Sequence, residues 1–337
     1  MNTKKCRGIK NARFWESLAA GKLSKMIDVI KKDPSLVLHF RNDYLNVYYH
    51  SGSVAKINSE KSIEISENYF VSCDAENYTR NKNKQTASDI EKHEALLKRR
   101  NALKQLFYDG EFESYFDKMK KTMEKYWAYN SPGKKCEEKD EGDVQQEICI
   151  HNQYESKDSK YTIIDLEHEV SVEADFCYKG DSPFSKNKNG KIIKKKEKPR
   201  FDIVSVRKST GQIFVWELKK GTGALEGLSG MHDHVDSYLH TIKESPEAEN
   251  SFIEEMEHVL LQKQILGLID KRVKIDTQKD VKFGFVYSYS DSAEDKKKQK
   301  EEKKAVESLR NQVQKGIQIN EYPIIYLKPN SYTLSEK

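Results

Sequence analysis

A short stretch near the middle of the chain combines carboxylates and a lysine in a pattern that could do metal-assisted chemistry. Residues 200–220, RFDIVSVRKSTGQIFVWELKK, hold two runs rich in β-branched and aromatic residues around a turn at 208–211, which predicts a β-hairpin. Side chains alternate across a strand, so Glu217 and Lys219 share one face, roughly 7 Å apart along it. The hairpin could bring Asp202 beside them. Two carboxylates and a lysine, exposed at the end of a buried strand, suit a hard divalent cation and a group that orients water.

This set of residues resembles the signature of the PD-(D/E)XK nuclease superfamily, which has the restriction-endonuclease-like fold. There, an acidic residue of one strand and the Glu-x-Lys of the next carry the chemistry, and here they match Asp202, Glu217 and Lys219. The proline of the signature stands slightly early, as Pro199. The resemblance implies a Mg²⁺ or Mn²⁺ ion bound by Asp202, Glu217 and the main-chain carbonyl of Leu218. It also implies that Lys219 holds or helps to deprotonate the attacking water, or stabilises charge on phosphorus.

Three further residues could support this site. In the predicted helix ahead of the first strand, Glu147 or Gln146 could direct a polar group towards the metal, as a helix glutamate does in parts of the superfamily. The alternative is that these two residues lie on an exposed face of the helix. In the helix after the hairpin, His234 and Tyr238 stand four residues apart and share a face. Many relatives of this fold carry Gln-x-x-x-Tyr there, so His234 could contact a substrate phosphate or orient a ligand, a structural histidine being the alternative.

A lysine-rich segment directly precedes the Asp202 strand. Residues 186–198, KNKNGKIIKKKEK, could form a loop that neutralises phosphates on either side of a scissile bond. A solvated surface loop is the alternative. The predicted contacts to nucleic acid come from Lys194, Lys195, Lys196, Lys198 and Arg200.

The surrounding patterns predict an α/β domain with a central mixed sheet flanked by helices. The expected elements are a helix at 141–154, a strand at 161–172, the hairpin, a helix starting within 221–242, a strand at 281–290, a helix at 292–316 and a strand at 322–328. Their order matches the core that the resemblance implies, over about residues 141–330. Val306, Leu309 and Val313 are predicted to face inward, and Gln262 and Gln264 to lie on a helix surface.

The first third of the chain has a different character. A short helix at 22–32 is followed by four short strand patterns within 36–65, which predict an antiparallel meander. Its aromatic and basic residues favour core and edge positions in the sheet, although a stacking surface for unpaired bases is the alternative. These residues are Tyr44, Tyr48, Tyr49, Arg41 and Lys56. Residues 88–129 then predict two helices broken at Gly110, which could serve as an arm, a homodimer element or a clamp over substrate.

Composition sets outer limits on the class of protein. The chain has 337 residues, of which 36% are hydrophobic and 34% charged, with a net charge of +5. We expect no membrane-spanning segment and no secretory signal, because no apolar run is long enough. The five cysteines are scattered without paired spacing, which favours a reducing cytoplasm and argues against a structural zinc site.

Together these patterns predict an N-terminal α+β domain at 1–132 and a nuclease-like domain at 141–337. The expected activity is metal-dependent hydrolysis of phosphodiester bonds in nucleic acid, in genome defence or repair. DNA is preferred over RNA because it is the commoner substrate of the superfamily. Two alternatives remain: a catalytically silent nucleic-acid-binding module, and an interaction protein in which the acidic and basic residues of the hairpin are a surface ion pair.

Overall fold

The chain folds into two compact units. The computed structural model describes residues 7–70, 87–130, 140–153, 155–170, 184–186, 192–194, 200–223, 225–226, 230–290, 296–314, 316–327 and 331–335. The first, the meander unit, comprises the described parts of Arg7–Gln146 together with Gln262–Leu268. The second, the sheet unit, comprises the described parts of Glu147–Leu261 and Ile269–Lys337. Within the described ranges, no helix is long and apolar enough to cross a membrane.

The meander unit contains a four-stranded sheet and several helices. Its elements are α1 (Ala12–Ala19), α2 (Ser24–Lys32), β1 (Leu36–Phe40), β2 (Leu45–Tyr49), β3 (Gly52–Ser59), β4 (Ser62–Glu64), a 3-10 turn (Glu67–Phe70), α3 (Ala87–Asp109), α4 (Phe112–Asn130) and α5 (Glu141–His151), whose residues from Glu147 onward belong to the sheet unit.

The predicted meander is confirmed. Strands β1 to β4 pair in sequence order, each antiparallel to the next. The turns are tight, and Asp43 and His50 adopt left-handed backbone angles there, with φ of 55° and 48°. Apolar side chains such as Val47 and Ile57 are fully buried. Tyr44, by contrast, is half-buried with the Lys56 ammonium 4.9 Å from its ring centre.

The predicted break between two helices is also confirmed. Gly110 has φ of +82°, which ordinary residues rarely adopt, and it separates α3 from α4. Helix α4 buries one face through residues at helical spacing. These are Tyr115, Phe116, Met119 and Met123.

The sheet unit is built around a five-stranded mixed sheet. Its elements are β5 (Tyr161–Glu169), β6 (Phe184–Lys186), β7 (Ile192–Lys194), β8 (Arg200–Arg207), β9 (Ile213–Lys220), α6 (Met231–Leu239), α7 (Pro246–Ile265), whose last four residues belong to the meander unit, β10 (Lys282–Ser288), α8 (Lys296–Arg310), β11 (Val313–Gln314), β12 (Ile317–Gln318) and β13 (Ile324–Tyr326).

The strand order of this sheet is β13-β10-β9-β8-β5. Strands β5, β8 and β9 pair antiparallel, whereas β9, β10 and β13 are parallel. The predicted hairpin is confirmed, since β8 and β9 pair with Ile203 opposite Trp216 and Gly211 takes φ of +70° in the turn. Both hairpin strands are almost wholly buried, which explains their nearly unbroken apolar sequence.

Two predictions about buried faces were wrong. Helix α8 ends at Arg310, and Val313 is 58% exposed on β11, because a small hairpin turning at Gly316 (φ +76°) replaces the last helical turn. Gln262 and Gln264 are buried rather than on a helix surface. Gln262 accepts from the Ile9 N–H at 2.9 Å and donates to the Ile9 carbonyl at 2.7 Å.

Candidate functional site

The predicted catalytic residues meet where the hairpin strands stop pairing. The last β8–β9 pair at this end joins Ile203 and Trp216, so Asp202 and Glu217 come next on the two neighbouring strands. The Leu218 N–H donates to Asp202 Oδ2 at 2.8 Å. The Asp202 carboxylate therefore takes the place of a backbone acceptor and is held directly against the Glu-x-Lys segment.

Glu217 and Lys219 share a face, as the strand period predicts. Lys219 Nζ donates to Glu217 Oε1 at 2.9 Å, and each side chain is only 4% exposed. Asp202 is 8% exposed. The expectation that these residues are exposed was therefore wrong, because the sheet continues past them through β10, which pairs with β9 as far as Lys220. A surface ion pair does not describe this site.

His234 lies at the same carboxylate. It stands on α6, and its Nε2 is 2.9 Å from Glu217 Oε1. Its side chain is 21% exposed, more than that of Glu217. Glu217 Oε1 thus has a lysine of its own strand and a histidine of the following helix each 2.9 Å away. The lysine ammonium offsets the carboxylate charge in a site with little solvent.

Tyr238 shares the helix face of His234 but reaches a different part of the sheet. Its hydroxyl donates to the Val281 carbonyl at 2.7 Å, and its ring stacks on Phe283. Phe285 is the β10 partner of Glu217, so Val281 lies four residues away along the strand, about 13 Å. Burial raises the pKa of Tyr238 well above its ordinary value, which keeps the hydroxyl protonated as a donor.

We expect Tyr238→Phe to lower the free energy of unfolding by about 1 kcal/mol, since one buried hydrogen bond is lost. It should leave any metal-dependent cleavage unchanged. Urea unfolding and a cleavage assay measure the two effects, and Tyr44→Phe, which keeps its ring beside Lys56, serves as control. A tenfold fall in cleavage would show that the Tyr238 hydroxyl takes part in the site.

The other predicted residues lie on α5, at the end of β7, at the start of β8 or outside the described residues. Glu147 is part-buried on α5, and its Oε2 lies 3.4 Å from Nδ1 of His151. Arg200 is 59% exposed and donates to Glu167 Oε2 at 2.8 Å. Lys194 ends β7, whose backbone alone is described. Lys195, Lys196 and Lys198 lie outside the described residues.

Sequence reasoning missed a second buried group of charged residues in the sheet unit. His168 of β5 is completely buried between two carboxylates, with Nδ1 3.0 Å from Asp165 Oδ2 and Nε2 3.6 Å from Glu255 Oε2 on α7. The pairing of β5 with β8 is irregular between Ile163 and Asp165, and Glu167 has a left-handed backbone angle, with φ of 52°. The only sequence signal was an acidic residue and a histidine three apart in a strand whose other residues are mostly apolar.

Within the described part of the chain, no three or more His, Cys, Asp or Glu side chains form a group able to hold a metal ion. Comparison with models of known families, with curated proteins and with solved structures finds no match to this chain. The case for a function therefore depends on the geometry of the residues themselves.

Proposed function

We propose that the sheet unit is a restriction-endonuclease-like, metal-dependent nuclease that hydrolyses phosphodiester bonds in nucleic acid, DNA in preference to RNA. The observation that carries this proposal is the contact between Asp202 and the Leu218 N–H beside the Glu217–Lys219 pair. It joins two carboxylates and an amine from neighbouring strands in one small, largely buried site. The order of helices and strands around it agrees with the order that the superfamily resemblance implies.

The donor set fits Mg²⁺ or Mn²⁺. Mg²⁺ prefers oxygen ligands and is usually held by one or two carboxylates plus substrate phosphates, with several waters retained. Asp202 and Glu217 would supply the carboxylates. In a strand, the N–H and C=O of one residue point to the same side, so the Leu218 carbonyl is expected to face Asp202 as well and could be a third ligand. When bound, the metal would polarise the phosphodiester and lower the pKa of a bound water.

Lys219 is the residue we assign to the attacking water and to the charge on phosphorus. Its ammonium is 2.9 Å from Glu217, so it already stands next to a proposed metal ligand. In a site with little solvent its charge acts more strongly than it would in water. His234 would hold the Glu217 carboxylate in position and, being more exposed than Glu217, could also meet a substrate phosphate.

A cleavage assay tests the proposal. The full chain is incubated with Mg²⁺, Mn²⁺ or EDTA and with linear duplex DNA, circular duplex DNA, single-stranded DNA or RNA. We expect cutting of DNA that requires the metal, and the circular substrate separates internal cleavage from cleavage at ends. Binding of nucleic acid without cutting in either metal would instead support a silent binding module.

A further inference from the structure

Lys219 belongs to a row of three residues that crosses the mixed sheet. In the register of β9 and β10, Lys219 pairs with Tyr287, and in that of β10 and β13, Tyr287 pairs with Tyr326. Paired residues of neighbouring strands lie about 4.8 Å apart and point to the same face. The rings of Tyr287 and Tyr326 are 5.8 Å apart, centre to centre. Tyr287 therefore stands directly beside the lysine that we assign to the attacking water, and Tyr326 stands one strand further away.

The Tyr287 hydroxyl is held from helix α8. Tyr287 is 2% exposed, and its hydroxyl donates to Glu302 Oε2 at 3.0 Å. Burial and the nearby Glu302 carboxylate raise the pKa of Tyr287 well above its ordinary value, so the hydroxyl stays protonated as a donor. The ring beside Lys219 is thus fixed at its hydroxyl end.

Glu302 also holds the chain just after β10. Its Oε2 accepts from the Ser290 N–H at 3.1 Å, and its Oε1 accepts from the Ser290 hydroxyl. Together with the Tyr287 hydroxyl, three donors at the end of one strand thus bind one carboxylate. Hydrogen bonds to a charged acceptor are stronger than neutral ones, so Glu302 attaches α8 strongly to the end of β10.

The end of β10 in turn packs against the end of β9. The Gly221 N–H, two residues after Lys219, donates to the Ser288 carbonyl at 2.9 Å. Gly221 has φ of +64°, and a β-carbon added to it would lie 3.3 Å from Cβ of Ser290. The backbone that carries Lys219 is therefore held by residues that Glu302 holds.

A lysine in this position needs such support. Its side chain is a flexible stem of four carbons that ends in a compact charge. Catalysis depends on placing that charge accurately, and a displacement of about 1 Å can lower a rate about 10²-fold. Glu217 accepts from the ammonium at 2.9 Å on the same strand, and the neighbour on the β10 side is Tyr287.

We propose that Glu302 is a positioning residue for Lys219, acting through Tyr287 and Ser290. The proposal rests on the nuclease function proposed above, in which Lys219 acts on the attacking water. The chain contains a matched comparison, because the Tyr326 hydroxyl donates to Glu307 Oε1 of the same helix at 2.9 Å, whereas β13, which carries Tyr326, is not next to β9. Both glutamates hold α8 to the sheet, and Glu302 alone positions Lys219.

The first test compares Glu302→Met with Glu307→Met in metal-dependent cleavage by the full chain. Methionine keeps the length of the side chain and favours helices, but it is only a weak acceptor. Glu302→Met should lower kcat at least about tenfold and leave KM unchanged, because a displaced ammonium acts less well only in the transition state. Glu307→Met should change neither constant. The milder pair Tyr287→Phe and Tyr326→Phe keeps both rings, and only the first should lower kcat, by about three- to tenfold for one hydrogen bond.

A second test does not need cleavage. Acetylation of the folded chain by an N-hydroxysuccinimide ester, followed by mass spectrometry, measures how readily Lys219 leaves its buried position. Glu302→Met should raise the acetylation rate of Lys219 about threefold or more, because a buried amine reacts through local opening, and Glu307→Met should not. If the full chain cuts nothing with Mg²⁺ or Mn²⁺, the nuclease function is wrong, and acetylation still decides whether Glu302 positions Lys219. Equal effects of the two methionine variants on kcat or on acetylation, or a rise in KM with kcat unchanged, would overturn the proposal.

Discussion

Replacing Lys219 with methionine should lower metal-dependent cleavage by about 10²- to 10⁴-fold, the range typical for loss of a group that acts on a proton in the transition state. Methionine keeps the apolar stem and removes the ammonium that stands 2.9 Å from Glu217. Lys220→Met is the matched control, because the next residue of the strand points to the other face. Initial rates on the preferred DNA substrate measure both effects.

Folding must be separated from chemistry in this experiment. Removing one partner of a buried ion pair costs about 3–5 kcal/mol of stability. His234 would still lie 2.9 Å from Glu217 Oε1. Lys219→Arg retains the charge and should restore stability without restoring the rate. Full activity in Lys219→Arg would mean that Lys219 only compensates the charge of Glu217. If Lys220→Met loses as much activity as Lys219→Met, then Lys219 has no specific role in catalysis.

The second large effect is on stability. His168→Ala should lower the free energy of unfolding by about 3–5 kcal/mol, because it leaves the fully buried Asp165 carboxylate without the imidazole 3.0 Å away. The loss of the ring also removes its edge-on packing with Phe252, with ring centres 5.2 Å apart. Chemical denaturation with a spectroscopic probe of the fold measures the change.

His258→Ala is the matched control for this prediction. It removes a half-buried histidine from α7, the helix that also carries Glu255, and should cost about 0.5 kcal/mol or less. If the two variants unfold at the same denaturant concentration, then His168 does not hold the two carboxylates together, and their burial needs another explanation.

Short-range patterns in the sequence predicted the strands of the meander and of the mixed sheet, but they gave no bounds for α1 or α7. The β8–β9 hairpin follows from two β-branched runs around Gly211, and the break between α3 and α4 follows from Gly110. Both features depend on residues close together in the chain. The prediction for Val313 failed because helical spacing continues in the sequence past Arg310, whereas the chain leaves the helix there and forms the β11–β12 hairpin.

The site was partly predictable for the same reason. The shared face of Glu217 and Lys219 follows from the period of a strand, and the structure confirms it with a hydrogen bond. The burial of that pair depends on β10, more than 60 positions later, and could not be deduced locally. The pairing of His168 with Glu255 likewise requires α7 to pack against β5. The assignment of Asp202, Glu217 and Lys219 to metal-dependent catalysis stays a prediction until cleavage is measured.

Helix α7 contacts a stretch of chain that is far away in the sequence. Gln262, near its end, exchanges hydrogen bonds with the backbone of Ile9, 253 positions earlier. A proteolytic fragment beginning at residue 147 would keep every strand of the mixed sheet but lose Ile9, so the Gln262 amide would lose its two backbone partners. Neither unit is one uninterrupted segment, so a single cut before residue 147 carries Gln262–Leu268 of the meander unit away with the sheet.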